Sequence, residues 1–362
     1  MAFGKPKTRT SPIGIDFGAD TVKLLQIIPG DPPQLVALAA ATVPDEARQD
    51  ANLRMAFLAE ALPTMLRRHP FRGRRVVLSI PSFQAMVHNV VVPETGVDDL
   101  DAVVRMALNE RLGIDADRLI LRNFPGAEIT RGDQKNREVI VFGARRSVAT
   151  RYADLANRLK LEVVGMHGEA PCILKAFGHL DSARGSEGRG RAVVYIDLGA
   201  ASSKLIVAQG GTMVLAKTIH AGGDTFTRRL AGEKSIDFEE ARLARIAGGV
   251  NPDTAVATAG DPAAACDITE CLIDELRMTV RHYDARYPEQ PIEKLVFVGG
   301  EANRRGLVTE LARSVRLAAQ LGDPFARLSR AGGTSAPLPI DLAQPQPGWA
   351  VPLGLCLSED AA

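Results

Sequence analysis

Apolar residues recur along this chain with two periods. Alternation or a short continuous run marks a strand, and recurrence every three to four residues marks a helix. The run Pro12-Ile13-Gly14-Ile15 predicts a buried strand, and the alternating positions after Thr21 predict its hairpin partner. Residues 34–43, with Leu35, Val36 and Leu38, predict a third strand. Residues 51–68 place Leu53, Phe57, Leu58, Leu62 and Leu66 on one side, which predicts an amphipathic helix. Its basic end suits the negative end of the helix dipole. Residues 76–80 predict the next strand, which completes one α/β unit.

From residue 83 to about residue 161 the pattern changes. Strands are predicted at 86–92, 119–124 and 139–143, helices at 98–112 and 147–159, and a polar turn at 133–138. In the first of these helices Leu100, Val103, Val104, Ala107, Leu108 and Leu112 should face inward. This pattern predicts a small α+β module inserted into the first lobe. A strand at 162–166 and a helix at 169–180 return to that lobe. The Gly, Ser and charged run at 181–191 reads as an exposed linker. Beyond it the first order repeats: a hairpin, a strand at 213–219, helices at 223–231, 235–246 and 270–287, and a strand at 294–298. A helix at 306–317 and a final apolar segment at 349–357 follow. The expected domains are a first lobe at 12–82, the insertion at 83–161, and a return with connecting helix and linker at 162–190. A second lobe at 191–340 and a C-terminal segment at 341–362, packed back on the first lobe, complete them.

The two predicted hairpins share more than their pattern. Ile15-Asp16-Phe17-Gly18-Ala19-Asp20-Thr21-Val22-Lys23-Leu24 aligns without a gap on Ile196-Asp197-Leu198-Gly199-Ala200-Ala201-Ser202-Ser203-Lys204-Leu205. A glycine in the turn lets the backbone present N–H groups to an anion. An aspartate at the strand end can hold a hydrated Mg²⁺. One copy alone reads as an ordinary hairpin turn. Two copies in register, each opening a half of the chain, predict a clamp for the phosphates of a nucleotide. Gly222-Gly223, followed by Thr227, opens a helix and brings its amides to an anion or to a hairpin. Gly299-Gly300 ends an apolar strand in a turn that admits a planar ligand.

Composition removes several classes. The chain has 362 residues, 46% hydrophobic and 24% charged, enough for two lobes with separate cores. A formal net charge of +1 gives no global attraction to nucleic acid or to an anionic membrane. The four cysteines lack metal-ligand spacing, which fits a reducing cytoplasm. The basic start has no apolar core of a signal peptide, and no run reaches membrane-spanning length. Membrane association, if any, is expected through a partner and without direct insertion.

Taken together, these residues resemble the actin-like ATPase superfamily and, within it, the PilM family of type IV pilus assembly. The resemblance rests on Ile13-Gly14-Ile15-Asp16-Phe17-Gly18 to Lys23, Val77 to Ser82, Val139 to Arg146 with Tyr152, and Asp197-Leu198-Gly199-Ala200. Gly222-Gly223 with Thr227, Gly299-Gly300 and Asp323-Pro324-Phe325 extend it to nearly the whole chain. It implies a two-lobed α/β fold of duplicated ribonuclease H-like lobes, with the inserted subdomain beside the first lobe. It implies ATP and Mg²⁺ as cofactors. Asp16 and Asp197 would flank the metal, and Gly18, Ala19, Asp20, Thr21, Gly199, Ala200, Ala201, Ser202, Gly222 and Gly223 would surround the phosphates. Lys23 would neutralise charge, Gly299 and Gly300 would approach the adenosine, and Glu169 would position the attacking water. Relatives carry a serine pair where this chain has Ala19-Asp20. That change removes a hydroxyl and adds a charge near the phosphates, so hydrolysis is expected to be slow or absent. The implied role is a cytoplasmic scaffold, peripheral to the inner membrane, bound to the N-terminal peptide of a PilN-like bitopic protein. Pilus motor ATPases are further implied partners. A filament protein of the FtsA type would carry a terminal amphipathic helix, and the acidic end Ser358-Glu359-Asp360 does not supply one. A small-molecule kinase would need a positioned base, for which no signature stands out. A type II secretion component shares the same resemblance.

Overall fold

The computed structural model describes residues 10–93, 99–131, 134–182, 191–248, 268–330 and 340–358. The basic start, most of the predicted linker, Cys266 and the acidic end lie outside the described residues. In chain order the elements begin with β1 (Ile13–Phe17), β2 (Thr21–Ile28), β3 (Gln34–Thr42), α1 (Asp45–Gln49), α2 (Ala51–Arg68) and β4 (Arg75–Ile80). The insertion supplies β5 (Ala85–Pro93), α3 (Leu100–Leu112), β6 (Leu119–Arg131), β7 (Gln134–Arg145) and α4 (Arg146–Arg158). Next come β8 (Glu162–Gly168) and α5 (Glu169–Ser182). The second half holds β9 (Ala192–Leu198), β10 (Ser203–Gln209), β11 (Thr212–Ile219), α6 (Gly223–Lys234), α7 (Phe238–Gly248), α8 (Ile268–Arg286), β12 (Ile292–Val298), α9 (Arg305–Val315) and β13 (Ala318–Leu321). The chain ends with β14 (Ser329–Arg330) and α10 (Ala350–Cys356).

The duplication read from the hairpins extends to whole sheets. One sheet runs β14-β3-β2-β1-β4-β8 and another β11-β10-β9-β12-β13. Leaving the two-residue β14 aside, each has the order third, second, first, fourth, fifth. In each, the first three strands are antiparallel and the last two run parallel to the first. A third sheet, β5-β7-β6, belongs to the insertion.

Contacts divide the chain into two units. The first comprises Met1–Pro81, Ala149–Ala176 and Asp323–Ala362, and the second Ser82–Val148 and Phe177–Gly322. The helix α4, expected within the inserted module, therefore falls mostly in the first unit. There the Tyr152 ring lies 4.5 Å from that of Phe17 on β1. The inserted sheet belongs to the second unit, with its own core of Val90, Val104, Leu108, Leu121, Val139 and Val141. Within the second unit the module packs on β11, the edge strand of the second sheet. Asn89 Nδ2 donates to the Ala216 carbonyl at 3.1 Å, and Arg286 on α8 pairs with Glu138 at 3.1 Å. An exposed sheet edge has unpaired backbone groups, and covering it satisfies some of them.

Two helices sit differently from their predicted faces. In α2 the buried stripe is Arg54, Leu58, Leu62 and Met65, while Leu53 is exposed. The face is rotated because Arg54 is drawn inward to the first hairpin, and Asp50 fixes the start by accepting from Asn52 N and Leu53 N. In α3, Val104, Ala107 and Leu108 are buried, but Leu100 and Leu112 at its two ends are exposed. The α8 stripe of Leu272, Leu276, Val280, Tyr283 and Tyr287 does join the second core. In the first unit α10 is buried throughout and packs on β1, β2 and β4.

Candidate functional site

Each unit contains one copy of the hairpin. In the first, β1 and β2 pair so that Asp16 stands opposite Lys23. Asp16 is buried, and its Oδ1 accepts the Ser79 hydroxyl from β4 at 3.0 Å. Ser79 Oγ in turn accepts the Phe17 amide at 2.9 Å. Lys23 Nζ donates to the Gly348 carbonyl at 2.8 Å. The turn between the strands is held by Arg54. Its guanidinium donates to the carbonyls of Phe17 (3.1 Å), Gly18 (2.6 Å) and Ala19 (3.1 Å). Asp20 has Arg48 at 3.7 Å, and its carbonyl accepts from Val43 N, next to the strand that Thr21 opens.

In the second hairpin Asp197 stands opposite Lys204, at the same register as the first pair. Here the lysine binds its neighbour: Nζ donates to Asp197 Oδ2 at 2.6 Å, and both side chains are buried. The turn carbonyls are satisfied by a helix. Gly223 N donates to Gly199 O at 3.0 Å, and Asp224 N to Ala200 O at 2.8 Å. These are orphan donors of the first turn of α6. A Cβ on Gly222 would stand 2.5 Å from both carbonyls, so only glycine permits this approach. The sequence left Gly222-Gly223 two roles, an anion or a hairpin; in this structure the amides serve the hairpin. Ser202 is buried, with its hydroxyl 3.4 Å from that of Ser82. Ala201 is half-buried beside it.

Gly299 and Gly300 follow β12. Gly299 has φ +92°, and a Cβ there would stand 2.4 Å from Asp197 Oδ1. A Cβ on Gly300 would meet open space. Packing therefore explains the first glycine and not the second. Beside them Glu301 is held by Arg245, whose Nη2 donates to Oε1 at 2.9 Å and whose Nη1 donates to Oε2. Arg245 Nε also reaches Thr227 Oγ1 at 3.0 Å, and that hydroxyl donates to Gly223 O. Thr227 thus ties the α6 start to the Gly299-Gly300 segment.

Glu169, the first residue of α5, is buried in the first unit. Burial, then the charges of Asp16 and Glu169, push the Cys172 thiol well above the ordinary thiol range. Both carboxylates therefore bear on one small region. Burial also raises Cys356, to about 12, so neither thiol is a nucleophile at neutral pH. Among the described residues no group of three or more metal-binding side chains forms. A Mg²⁺ held by one carboxylate and by substrate phosphates needs no such group. Asp16 accepts the Ser79 hydroxyl, whereas a cation at Asp197 would share its carboxylate with the Lys204 ammonium. Sequence reasoning missed Arg54, Ser79, Arg245, Glu301 and the separate behaviour of Lys204. The only available signal was an arginine on the apolar flank of a helix and a lysine repeated in register.

A family model described as type IV pilus assembly protein PilM matches residues 14–359. Among solved structures, the chain is similar to one described as a PilM-PilN type IV pilus biogenesis complex. The TM-score is 0.75 at 20% identity, covering 96% of this chain and 98% of the other. Ethanolamine utilization protein EutJ from Carboxydothermus hydrogenoformans gives a TM-score of 0.48 at 16% identity, covering 98% and 90%. MreB5 of Spiroplasma citri bound to ADP gives 0.45 at 14% identity, covering 96% and 95%.

Proposed function

The chain belongs to the type IV pilus assembly protein PilM family, and from that premise we propose that it is an ATP-binding scaffold of the pilus assembly machinery. The two-lobed actin-like fold, with each lobe built on the same strand order, supports this reading. The observation that carries it is the family match over nearly the whole chain, insertion included. In the proposal ATP binds at the two hairpin turns and at Gly299-Gly300. Asp16 holds Mg²⁺, whose charge would offset that of the phosphates. Lys23, Gly18, Ala19, Thr21, Ala201 and Ser202 border the phosphates, and Glu169 orients water for a slow hydrolysis. The inserted module, whose sheet adds surface that a nucleotide clamp does not need, takes the cytoplasmic N-terminal peptide of a PilN-like membrane protein. An extended peptide of this kind gains direction from backbone bonds and specificity from side-chain pockets. No helix among the described residues is long and apolar enough to cross a membrane. In this reading the peptide recruits the protein to the inner membrane from the cytoplasm. Motor ATPases of the same machine are further partners. An FtsA-like division role is not favoured by the family match.

The test pairs two measurements. Calorimetry with MgATP should show binding that Asp16→Ala weakens by about 30-fold or more, as loss of a metal contact implies. Membrane fractionation should show association that disappears when the PilN-like partner is deleted. Unchanged ATP affinity in Asp16→Ala, or association without the partner, refutes the corresponding half.

A further inference from the structure

The second sheet has two edges, and they are covered differently. The insertion packs on β11, while β13 is the last strand at the other edge. Among the described residues β13 packs on β12 and α9, and no strand lies beyond it. An edge of this kind offers unpaired backbone groups to another chain, and proteins commonly blunt it with charge, proline or a bulge. β13 has none of these: it reads Ala318-Ala319-Gln320-Leu321, pairs with β12 without a register shift, and exposes its first three side chains. Its length of four residues is the protection present, and it limits what backbone pairing alone can hold.

A groove of about 510 Å³ lies between this edge and α9, a volume within the range of clefts that take ligands. Val308, Ala312, Leu317 and Ala319 give it an apolar lining, and Arg313 and Arg316 add two guanidinium groups. No acidic residue lines it. Neither guanidinium has an ion pair or a side-chain hydrogen bond among the described residues. Arg316 also stands at φ +57°, in the left-handed region that ends α9. A cation suits a helix C-terminus, but glycine suits that backbone better. A second copy of this chain would bring the same two arginines to the edge, and like charges repel. An acidic chain is attracted.

We propose that the β13 edge docks an extended acidic segment of another protein, which adds a strand to the second sheet. Alternate side chains of that strand lie on the face to which Ala319 points. Apolar ones fill the groove, and a carboxylate meets Arg313 and Arg316 in charge-assisted hydrogen bonds. Backbone pairing sets the direction of the segment, and the groove and its arginines set the choice of segment. The residues involved belong to neither hairpin and not to the inserted module, so this is a second peptide site beside the one proposed above.

The experiment selects short random peptides, displayed on phage, against the full chain. Counter-selection on a double variant, Arg313→Glu with Arg316→Glu, removes peptides that bind other surfaces. The enriched peptides should alternate apolar residues with Asp or Glu. Fluorescence anisotropy with the best of them should show binding at least about tenfold weaker to the double variant. Arg316→Gly should weaken binding by about threefold or more without lowering the melting temperature, because glycine relieves the left-handed backbone. Loss of binding in that variant is then not loss of fold. If melting shows the double variant to be unfolded, Arg316→Gly replaces it in the counter-selection and decides alone. Hydrogen exchange at residues 318–321 should slow when the peptide is bound, because edge amides gain partners. No enrichment, enriched peptides without acidic residues, or unchanged exchange at 318–321 overturns the inference. So does a dimer of the full chain that Ala319→Glu dissociates, since the edge then belongs to a second copy. None of these outcomes bears on the nucleotide or on the PilN-like peptide, whose tests stand apart.

Discussion

The two hairpins have nearly the same residues and the same register, yet they are stabilised differently. In the first, turn carbonyls are met by a buried arginine from α2, and the lysine opposite the aspartate donates to the Gly348 carbonyl. In the second, turn carbonyls are met by the amides that open α6, and the lysine stays on the aspartate. Both solutions answer one constraint, that buried carbonyls need donors. The first answer brings a buried charged side chain. The second brings a rigid helix end, and requires the glycine pair that lets it close. What differs is the state of the aspartate: Asp16 is held by a neutral hydroxyl, and Asp197 carries an ammonium. A repeated motif thus preserves a backbone shape while the chemistry of each copy is set by the elements packed around it.

The largest effect should come from breaking the second pair. Asp197→Ala leaves Lys204 buried without its counter-ion, which costs about 3–5 kcal/mol of stability. Asp16→Ala removes a neutral hydroxyl bond and should cost about 1–2 kcal/mol. Urea unfolding followed by circular dichroism measures both. Trp349, the single tryptophan, lies in the first unit and is buried, so its fluorescence gives a control. The Asp197→Ala loss in the circular dichroism transition should exceed that of Asp16→Ala. Equal losses from the two substitutions would erase the distinction between the hairpins.

Next in size is Arg54→Ala. Three carbonyls lose a charged donor, for about 3 kcal/mol. Here the tryptophan transition should move. Arg54→Lys should recover less than half of the loss, because an ammonium lacks the planar fork that spans adjacent carbonyls. Full recovery by lysine would mean that charge alone, and no spanning geometry, closes the first turn.

These two sites also mark the limit of sequence reading. The duplicated strand order was legible because alternation and apolar runs are local signals, and the gapless repeat tied the two halves together. The glycine pairs were legible because only glycine relieves close backbone approach. Arg54 was not, since amphipathic patterning assigns an arginine to solvent, and nothing local says that three carbonyls await it. Lys204 looked identical to Lys23. The two part company only because Gly348, 325 residues further on, offers an acceptor to the first. The edge on which the insertion packs was also hidden, since an edge strand has no sequence mark of what covers it.

The smallest effect sharpens the comparison at the turns themselves. The first turn carries Ala19-Asp20 where the second carries Ala200-Ala201, so a charge stands in one copy only. Sequence alone suggested that this charge would oppose phosphates. In the structure Asp20 lies 3.7 Å from the largely buried Arg48 guanidinium and is itself 39% exposed. A partly exposed pair at that distance is screened, and removing it should cost less than about 1 kcal/mol. Asp20→Ser should therefore leave the tryptophan unfolding transition almost in place. Its effect on ATP affinity distinguishes the two directions the carboxylate can act in. If Arg48 already offsets its charge, affinity should change by less than about threefold. A rise of about tenfold or more would show that Asp20 repels the phosphates despite its arginine. The first turn would then be handicapped by its own sequence, and binding would rest mainly on the second.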